Sequence, residues 1–280
     1  MKIFNNIVVI SALIISACCS CSKAEPSVSE EQIPVSYTVS LLDTKAVSAN
    51  GAAINKVWCG LYNPDGTMAT NYAPVDFVNG SARCEVVMLR GRSYKLVFVA
   101  QYYKDSATPT YPINPQTATV GLPETLVANS DEYDLFYGVD EIVAYNGTPN
   151  GSIALDRVVA MVNFISSDED WNSAVAQGAV PTHSSIEVTG VSAGFDLLDG
   201  KPKADKTNLQ FAKSEIPEDK HLGAVFCIAE GKIGATINLY TSAEQDATPL
   251  KTVALTDVQV EANRKTNIVG GVIGSQGAIL

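Results

Sequence analysis

Hydrophobic and polar residues alternate along most of this 280-residue chain, and the dominant period is two. VSYTVSLL, KVWCGLY, ARCEVVML, SYKLVFVAQYY, VVAMVNFI, SIEVTGV, GAVFCIA, ATINLYT, KTVALTDVQV and TNIVGGVI are short runs rich in Val, Ile, Tyr and Phe. Such runs place every second side chain on one face and predict half-buried strands. Turn signals separate them: Asn63-Pro64-Asp65-Gly66, Asn79-Gly80, Arg90-Gly91-Arg92, Asn146-Gly147, Asn150-Gly151, Asp199-Gly200 and Glu230-Gly231. Short strands at this spacing, with almost no helical period, predict an all-β fold of antiparallel sandwiches. One segment departs from it. Ser167 is a capping residue followed by Asp168, Glu169 and Asp170, then Trp171 to Ala176, with Gly178 just beyond, which predicts a short helix.

Two breaks organise the chain. AYNGTPNGS, residues 144–152, stacks two turn dipeptides around a proline and marks a division between an N-terminal sandwich, 35–146, and a C-terminal one, 147–280. The stretch 104–124 carries Pro109, Pro112, Pro115 and Pro123 and reads as an ordered surface loop inside the first half.

The first residues follow a different rule. Lys2 is the only charge before Lys23, and Ile7 to Ala17 is an unbroken apolar and small run. That run is too short for a spanning helix of about 20 residues and fits an export signal, residues 1–17. Ile15-Ser16-Ala17-Cys18 resembles the bacterial lipobox, in which the thiol takes a diacylglycerol and becomes the first mature residue. Cys21, followed by Ser22-Lys23, is the rival lipid site, and a plain signal peptide with incidental cysteines is the simpler alternative. More than one acyl chain is needed for firm anchoring, at about 0.8 kcal/mol per buried methylene. Residues 18–34 are polar, acidic and proline-containing, as in a tether.

Charge and chemistry narrow the function. With 19 basic against 30 acidic residues the net charge is −11, and no basic cluster exists to neutralise phosphates, which argues against nucleic acid. Cys59 alternates in phase with Val57 and Leu61, and Cys84 with Val86 and Met88. The two are open to a disulfide in an oxidising compartment or to burial as free thiols, and Cys227 has no evident partner. His183 and His221 are the only histidines, and neither stands in a metal or triad pattern. Contiguous Asp168-Glu169-Asp170 suits a helix N-terminus better than calcium, whose ligands come from alternate positions. Trp58, Tyr62, Tyr94, Phe98, Tyr102 and Tyr103 could form a sugar platform, and equally suit core packing. No cofactor, metal or catalytic residue is predicted, and the chain reads as non-enzymatic.

Residues 155–164, LDRVVAMVNF, resemble the signature opening the second domain of the fimbrillin-like proteins of Bacteroidales. Asn263 to Gly270, NRKTNIVG, resembles the same family's segment before its last strand, and YKLVFVAQ (94–101) and DLFYG (134–138) resemble recurrent elements of its first half. The resemblance spans roughly residues 35–275 and implies a type V pilin or accessory subunit: two transthyretin-like sandwich domains, exported as a lipoprotein to the outer membrane. It implies fimbrial subunits as partners by strand addition, after a trypsin-like protease removes the first strand, and an adhesion ligand on a host or bacterium. The strand to be removed would be Val35 to Leu42, and where the family's cut follows arginine this chain has Lys45 before Ala46, its first arginine being Arg83. Either the strand and lipid are kept and the protein acts as an anchor, a terminator or a surface protein outside the pilus, or the processing enzyme accepts Lys45. The terminal GGVIGSQGAIL either is a donated strand or completes the second sandwich. Asp105-Ser106-Ala107 resembles the O-glycosylation acceptor of exported Bacteroides proteins. Two other readings stand beside this one: a monomeric surface lipoprotein that binds glycan or another extracellular ligand, and a polysaccharide hydrolase with paired carboxylates.

Overall fold

A computed structural model describes residues 31–42, 53–145, 147, 150–218, 220–244, 246–271 and 273. The fold is all-β with one short α-helix, as the alternation predicts. The principal strands are β1 Gln32–Leu41, β2 Lys56–Tyr62, β3 Met68–Asn71, β4 Val75–Asp76, β5 Ser81–Leu89, β6 Ser93–Gln101, β7 Leu135–Val143 and β8 Gly151–Arg157. They continue as β9 Ala160–Ser166, β10 His183–Ser192, β11 Lys206–Glu215, β12 His221–Cys227, β13 Gly231–Tyr240, β14 Lys251–Val260 and β15 Lys265–Gly270, with helix α1 Asp168–Ala176 after β9.

The first eight strands make one sheet in the order β3-β2-β6-β7-β8-β1-β5, with β4 also on β2. The sheet folds over itself, because alternate side chains of β1 and β5 share a core with those of β2 and β6. Val35, Tyr37, Val39, Cys84 and Val86 pack there with Val57, Cys59, Leu61, Leu96 and Phe98. In the second half, β10, β11, β13 and β14 form the larger sheet, extended by Leu126–Val127 alongside β11. The smaller sheet is β12-β9-β15, in which β15 runs parallel to β9. Val162, Phe164 and Val225 from it meet Ile186, Val188, Phe211 and Ile237 from the larger sheet.

The turn at 144–152 leads into a strand of the first sheet: β8 pairs antiparallel with β7 and parallel with β1. The core is continuous as well, since Trp58, Tyr62, Val97 and Val99 on the opposite face of β2 and β6 belong to the same cluster as the second sandwich. Gln32–Leu280 accordingly forms one compact unit. A buried ion pair lies at this junction. Arg157 donates through Nη2 to Asp134 Oδ2 at 2.6 Å with both side chains fully covered. Its guanidinium stands 5.4 Å from the Phe136 ring centre and 6.0 Å from that of Phe226.

The proline-rich stretch is ordered, as its length suggests. Ile113–Asn114 and Thr119–Val120 join Phe195–Asp196 and Lys201–Pro202 in a small four-stranded sheet. Gln101 grips the stretch by accepting from Tyr111 N at 2.7 Å and donating to Tyr111 O at 3.0 Å. At its tip, Asp105 and Ser106 both have positive φ, and both are exposed, between the paired Tyr103–Lys104 and Thr108–Pro109. Helix α1 starts as predicted, with Ser167 Oγ accepting from Asp170 N at 3.3 Å. Asp170 itself is buried and accepts from Ser166 Oγ at 2.8 Å and from Ile273 N at 2.7 Å, which fastens the end of the described chain to the helix. Three long strands, β7, β8 and β11, lie outside the predicted set, because each turns few apolar side chains inward and carries acids, lysines or glycines between them.

Candidate functional site: the slot occupied by the first strand

β1 begins at Gln32, three residues ahead of Val35, because Ile33 is apolar and in phase with the alternation; Gln32, Ile33 and Pro34 stand opposite Leu89, Met88 and Val87. The strand is interior to its sheet. On one side it runs antiparallel to β5 from Gln32↔Leu89 to Ser40↔Ser81. On the other it runs parallel to β8 from Tyr37↔Gly151 to Leu41↔Leu155, and Leu42 N continues with a 2.9 Å bond to Leu155 O. Removing it would expose two unpaired strand edges facing each other.

Ile33, Val35, Tyr37 and Val39 point into the core and Tyr37 is 1% exposed. At about 1.5–3 kcal/mol per buried side chain of this size, the four contribute roughly 6–12 kcal/mol, an upper bound because the unfolded chain is not fully extended. Tyr37 carries the most specific contacts. Its hydroxyl donates to Asp140 Oδ2 at 2.7 Å, and its ring lies 5.3 Å from that of Phe98 at a tilt of 41°. Burial, and next the Asp140 carboxylate, push the phenol well above the ordinary tyrosine range. Gly151 makes room for the ring: a Cβ built there would fall 2.3 Å from Tyr37 Cε1. Ser36 N donates at 3.0 Å to Asn150 Oδ1, so the turn dipeptide Asn150-Gly151 both anchors and accommodates β1.

The thiols at 59, 84 and 227 are free and buried. Burial raises all three, Cys84 to about 11 and Cys227 to about 12. Cys59 and Cys84 sit in the core that β1 covers, and Cys84 stands opposite Tyr37 across the β1–β5 pair. Of the aromatic set, Trp58, Tyr62, Tyr94, Phe98 and Tyr103 are buried packing residues and only Tyr102 is partly exposed, so they form no sugar platform. Among the described residues, no group of three or more His, Cys, Asp or Glu side chains could hold a metal ion, and no helix is long and apolar enough to cross a membrane. His183 Nδ1 lies 2.9 Å from Thr182 Oγ1 at the start of β10. The proposed lipid sites Cys18 and Cys21 and the proposed cut between Lys45 and Ala46 lie outside the described residues.

What the sequence reading does not reach is the lining of the slot: Asp140, Gly151, Asn150 and Phe98 come from three different strands and a turn. The Asn150-Gly151 dipeptide is visible only as a turn signal, and no local pattern shows that it faces residue 37.

Fold and site together define a double-layered all-β protein whose candidate site is a strand position, built from backbone edges and a row of alternate pockets. The chain belongs to a family of unknown function, DUF6562, whose model matches residues 29–279. No curated protein matches it. Among solved structures it is similar to a candidate polysaccharide-binding protein (DUF1812) from Bacteroides thetaiotaomicron, with 13% identity and a TM-score of 0.54 over 88% of this chain and 95% of that one. It is similar to a candidate adhesin from Bacteroides ovatus, at 14% identity and a TM-score of 0.52 over 89% and 93% of the two chains. A fimbrial assembly protein from Parabacteroides distasonis aligns with a TM-score of 0.49, at 12% identity over 88% and 94%. These likenesses concern the fold.

Proposed function

We propose that the protein is a fimbrial structural or accessory subunit of the type V pilus kind, displayed at the cell surface and assembling by β-strand exchange, with a contribution to adhesion. The observation that carries this reading is the position of β1: the first of the described strands fills an interior place between β5 and β8. A strand so placed can leave without unthreading any other element. The two backbone edges it vacates form a template for another strand, with main-chain hydrogen bonds for affinity and alternate pockets for register. The name of the Bacteroides ovatus neighbour, a candidate adhesin, supports a surface role.

The rest of the proposal concerns the ends. Residues 1–17 serve export, Cys18 or else Cys21 carries the lipid that ties the protein to the outer membrane, and 18–34 form the tether. The sandwich domains are proposed as 35–146 and 147–280, with β8 of the second reaching back into the sheet of the first. Cleavage between Lys45 and Ala46 frees β1. Strand exchange needs no reactive side chain, and the proposed role is non-enzymatic.

Mass spectrometry of the mature N-terminus tests the ends: acyl additions on Cys18 or Cys21, or a new terminus at Ala46, are the expected species. An unmodified protein that starts elsewhere refutes the anchor. Uptake of a peptide of residues 32–42 by the chain nicked at residue 45 tests the exchange. A nicked protein that ignores the peptide and binds a glycan array would establish the alternative, a monomeric glycan-binding lipoprotein.

A further inference from the structure

We infer that the slot selects its occupant by a tyrosine: the strand that replaces β1 comes from a different polypeptide and presents a tyrosine opposite Gly151, with aliphatic side chains two residues before and two after. This rests on the strand-exchange reading above.

Three features on three elements shape the position. Gly151 on β8 has no side chain, and even one added methyl carbon would lie 2.3, 2.6 and 2.7 Å from three Tyr37 ring atoms, so the space is that of a flat ring. Phe98 on β6 gives the ring an aromatic neighbour 5.3 Å away. Asp140 on β7 ends the pocket with a half-buried carboxylate oxygen 2.7 Å from the hydroxyl. An aliphatic occupant would leave a void over Gly151. A phenylalanine would fill the void and press an apolar edge against a carboxylate that has lost its donor. Only a phenol satisfies all three. The neighbouring positions, held by Val35 and Val39 at 1% and 0% exposure, take aliphatic side chains.

Outside the described strands, neither residues 1–31 nor residues 271–280 of this sequence hold a tyrosine. Residues 1–31 contain one aromatic, Phe4, and residues 241–280 contain none. Residues 271–280 of a second copy therefore mismatch the slot, and self-polymerisation through them is disfavoured. The fitting partner is another subunit.

The test uses the full chain, folded with a site-specific protease sequence inserted between Lys45 and Ala46 and then nicked. A fluorescent peptide of residues 31–42 is exchanged into it and competed with unlabelled peptides, followed by anisotropy. The Tyr37→Phe peptide is expected to compete roughly tenfold more weakly than the parent, as for loss of a hydrogen bond to a charged group, and Tyr37→Leu more weakly still. A peptide of residues 265–280 should not compete. In the Asp140→Leu chain the Tyr and Phe peptides should converge. Equal competition by Tyr, Phe and Leu peptides, or entry of the 265–280 peptide, overturns the tyrosine rule and leaves strand exchange standing. If the parent peptide itself never enters the nicked chain, strand exchange fails, and this rule fails with it.

Discussion

Replacing Gly151 by alanine opposes two effects of known size at one position. Alanine lowers the conformational entropy of the unfolded chain and favours a strand interior over glycine by about 0.5–1 kcal/mol. Against this, the new Cβ would fall 2.3 Å from Tyr37 Cε1, 2.6 Å from Cζ and 2.7 Å from Cδ1. A flexible side chain could swing away, but this ring is held by Phe98 beside it and by Asp140 at its hydroxyl, so β1 or β8 must shift instead. Overfilling a packed site costs about 1–3 kcal/mol. The clash wins, and Gly151→Ala is expected to destabilise by about 0.5–2 kcal/mol. The sign should reverse in a Tyr37→Ala background, where the ring is gone and only the entropy term remains. Urea unfolding of the four chains in this cycle, compared at constant slope, measures both numbers. Equal effects of Gly151→Ala in the two backgrounds would refute the claim that residue 151 is glycine because of residue 37.

Other perturbations probe the remaining contacts. Arg157→Ala strands the fully covered Asp134 carboxylate and should cost about 3–5 kcal/mol, whereas the double change Arg157→Met with Asp134→Leu should recover at least half of that in thermal unfolding. Ser167→Ala removes the cap of α1 and should cost about 1 kcal/mol, read from the fluorescence of the nearby Trp171 during urea unfolding. The thiols give a pH dependence: their folded pKa values are raised, Cys84 to about 11 and Cys227 to about 12, so the unfolded chain releases these protons first. Stability is then fully present below about pH 9 and is lost as pH climbs through that window, and alanine at 59, 84 and 227 should flatten the slope in pH-jump denaturation. Thiol reagents should modify Cys59 and Cys84 only after β1 is released from a nicked chain, while Cys227, in the other core, stays protected.

The elements that two-residue alternation reveals are those with a strong one-sided demand for burial. β5 is the clearest case, with Ala82, Cys84, Val86 and Met88 inward and Arg83 and Glu85 outward. Helix α1 is equally legible, since its cap and acids act within one turn of the chain. β8 is not, because GSIALDR buries only Leu155 and Arg157, and a buried arginine reads from sequence as a surface residue. The slot was legible only from one side. Val35, Tyr37 and Val39 mark β1 as a strand, but its neighbours are β5, some forty residues on, and β8, more than a hundred on and parallel. Pairing of that range is set by the global arrangement of layers, which leaves no local trace in the letters. The same holds for Asp140, one of two adjacent acids on β7: Glu141 turns outward toward Lys95 while Asp140 receives the phenol.

The depth of the slot also decides when it can be used. While β1 remains covalently joined to β2 through the short segment between Leu41 and Lys56, its effective concentration at the slot is in the millimolar range or above. An incoming strand at micromolar concentration faces a disadvantage of about a thousandfold even if its contacts are as good. Burial of the inward side chains of β1, roughly 6–12 kcal/mol at most, deepens the occupied state further. On the proposed strand-exchange reading, exchange before cleavage is therefore negligible, and the intact chain would be held unassembled by its own first strand. A single nick after β1 removes the concentration advantage without touching one contact in the slot. Under the proposal, selection would then pass to side-chain fit, with the phenol pocket formed by Gly151, Phe98 and Asp140 separating a matching strand from a merely apolar one.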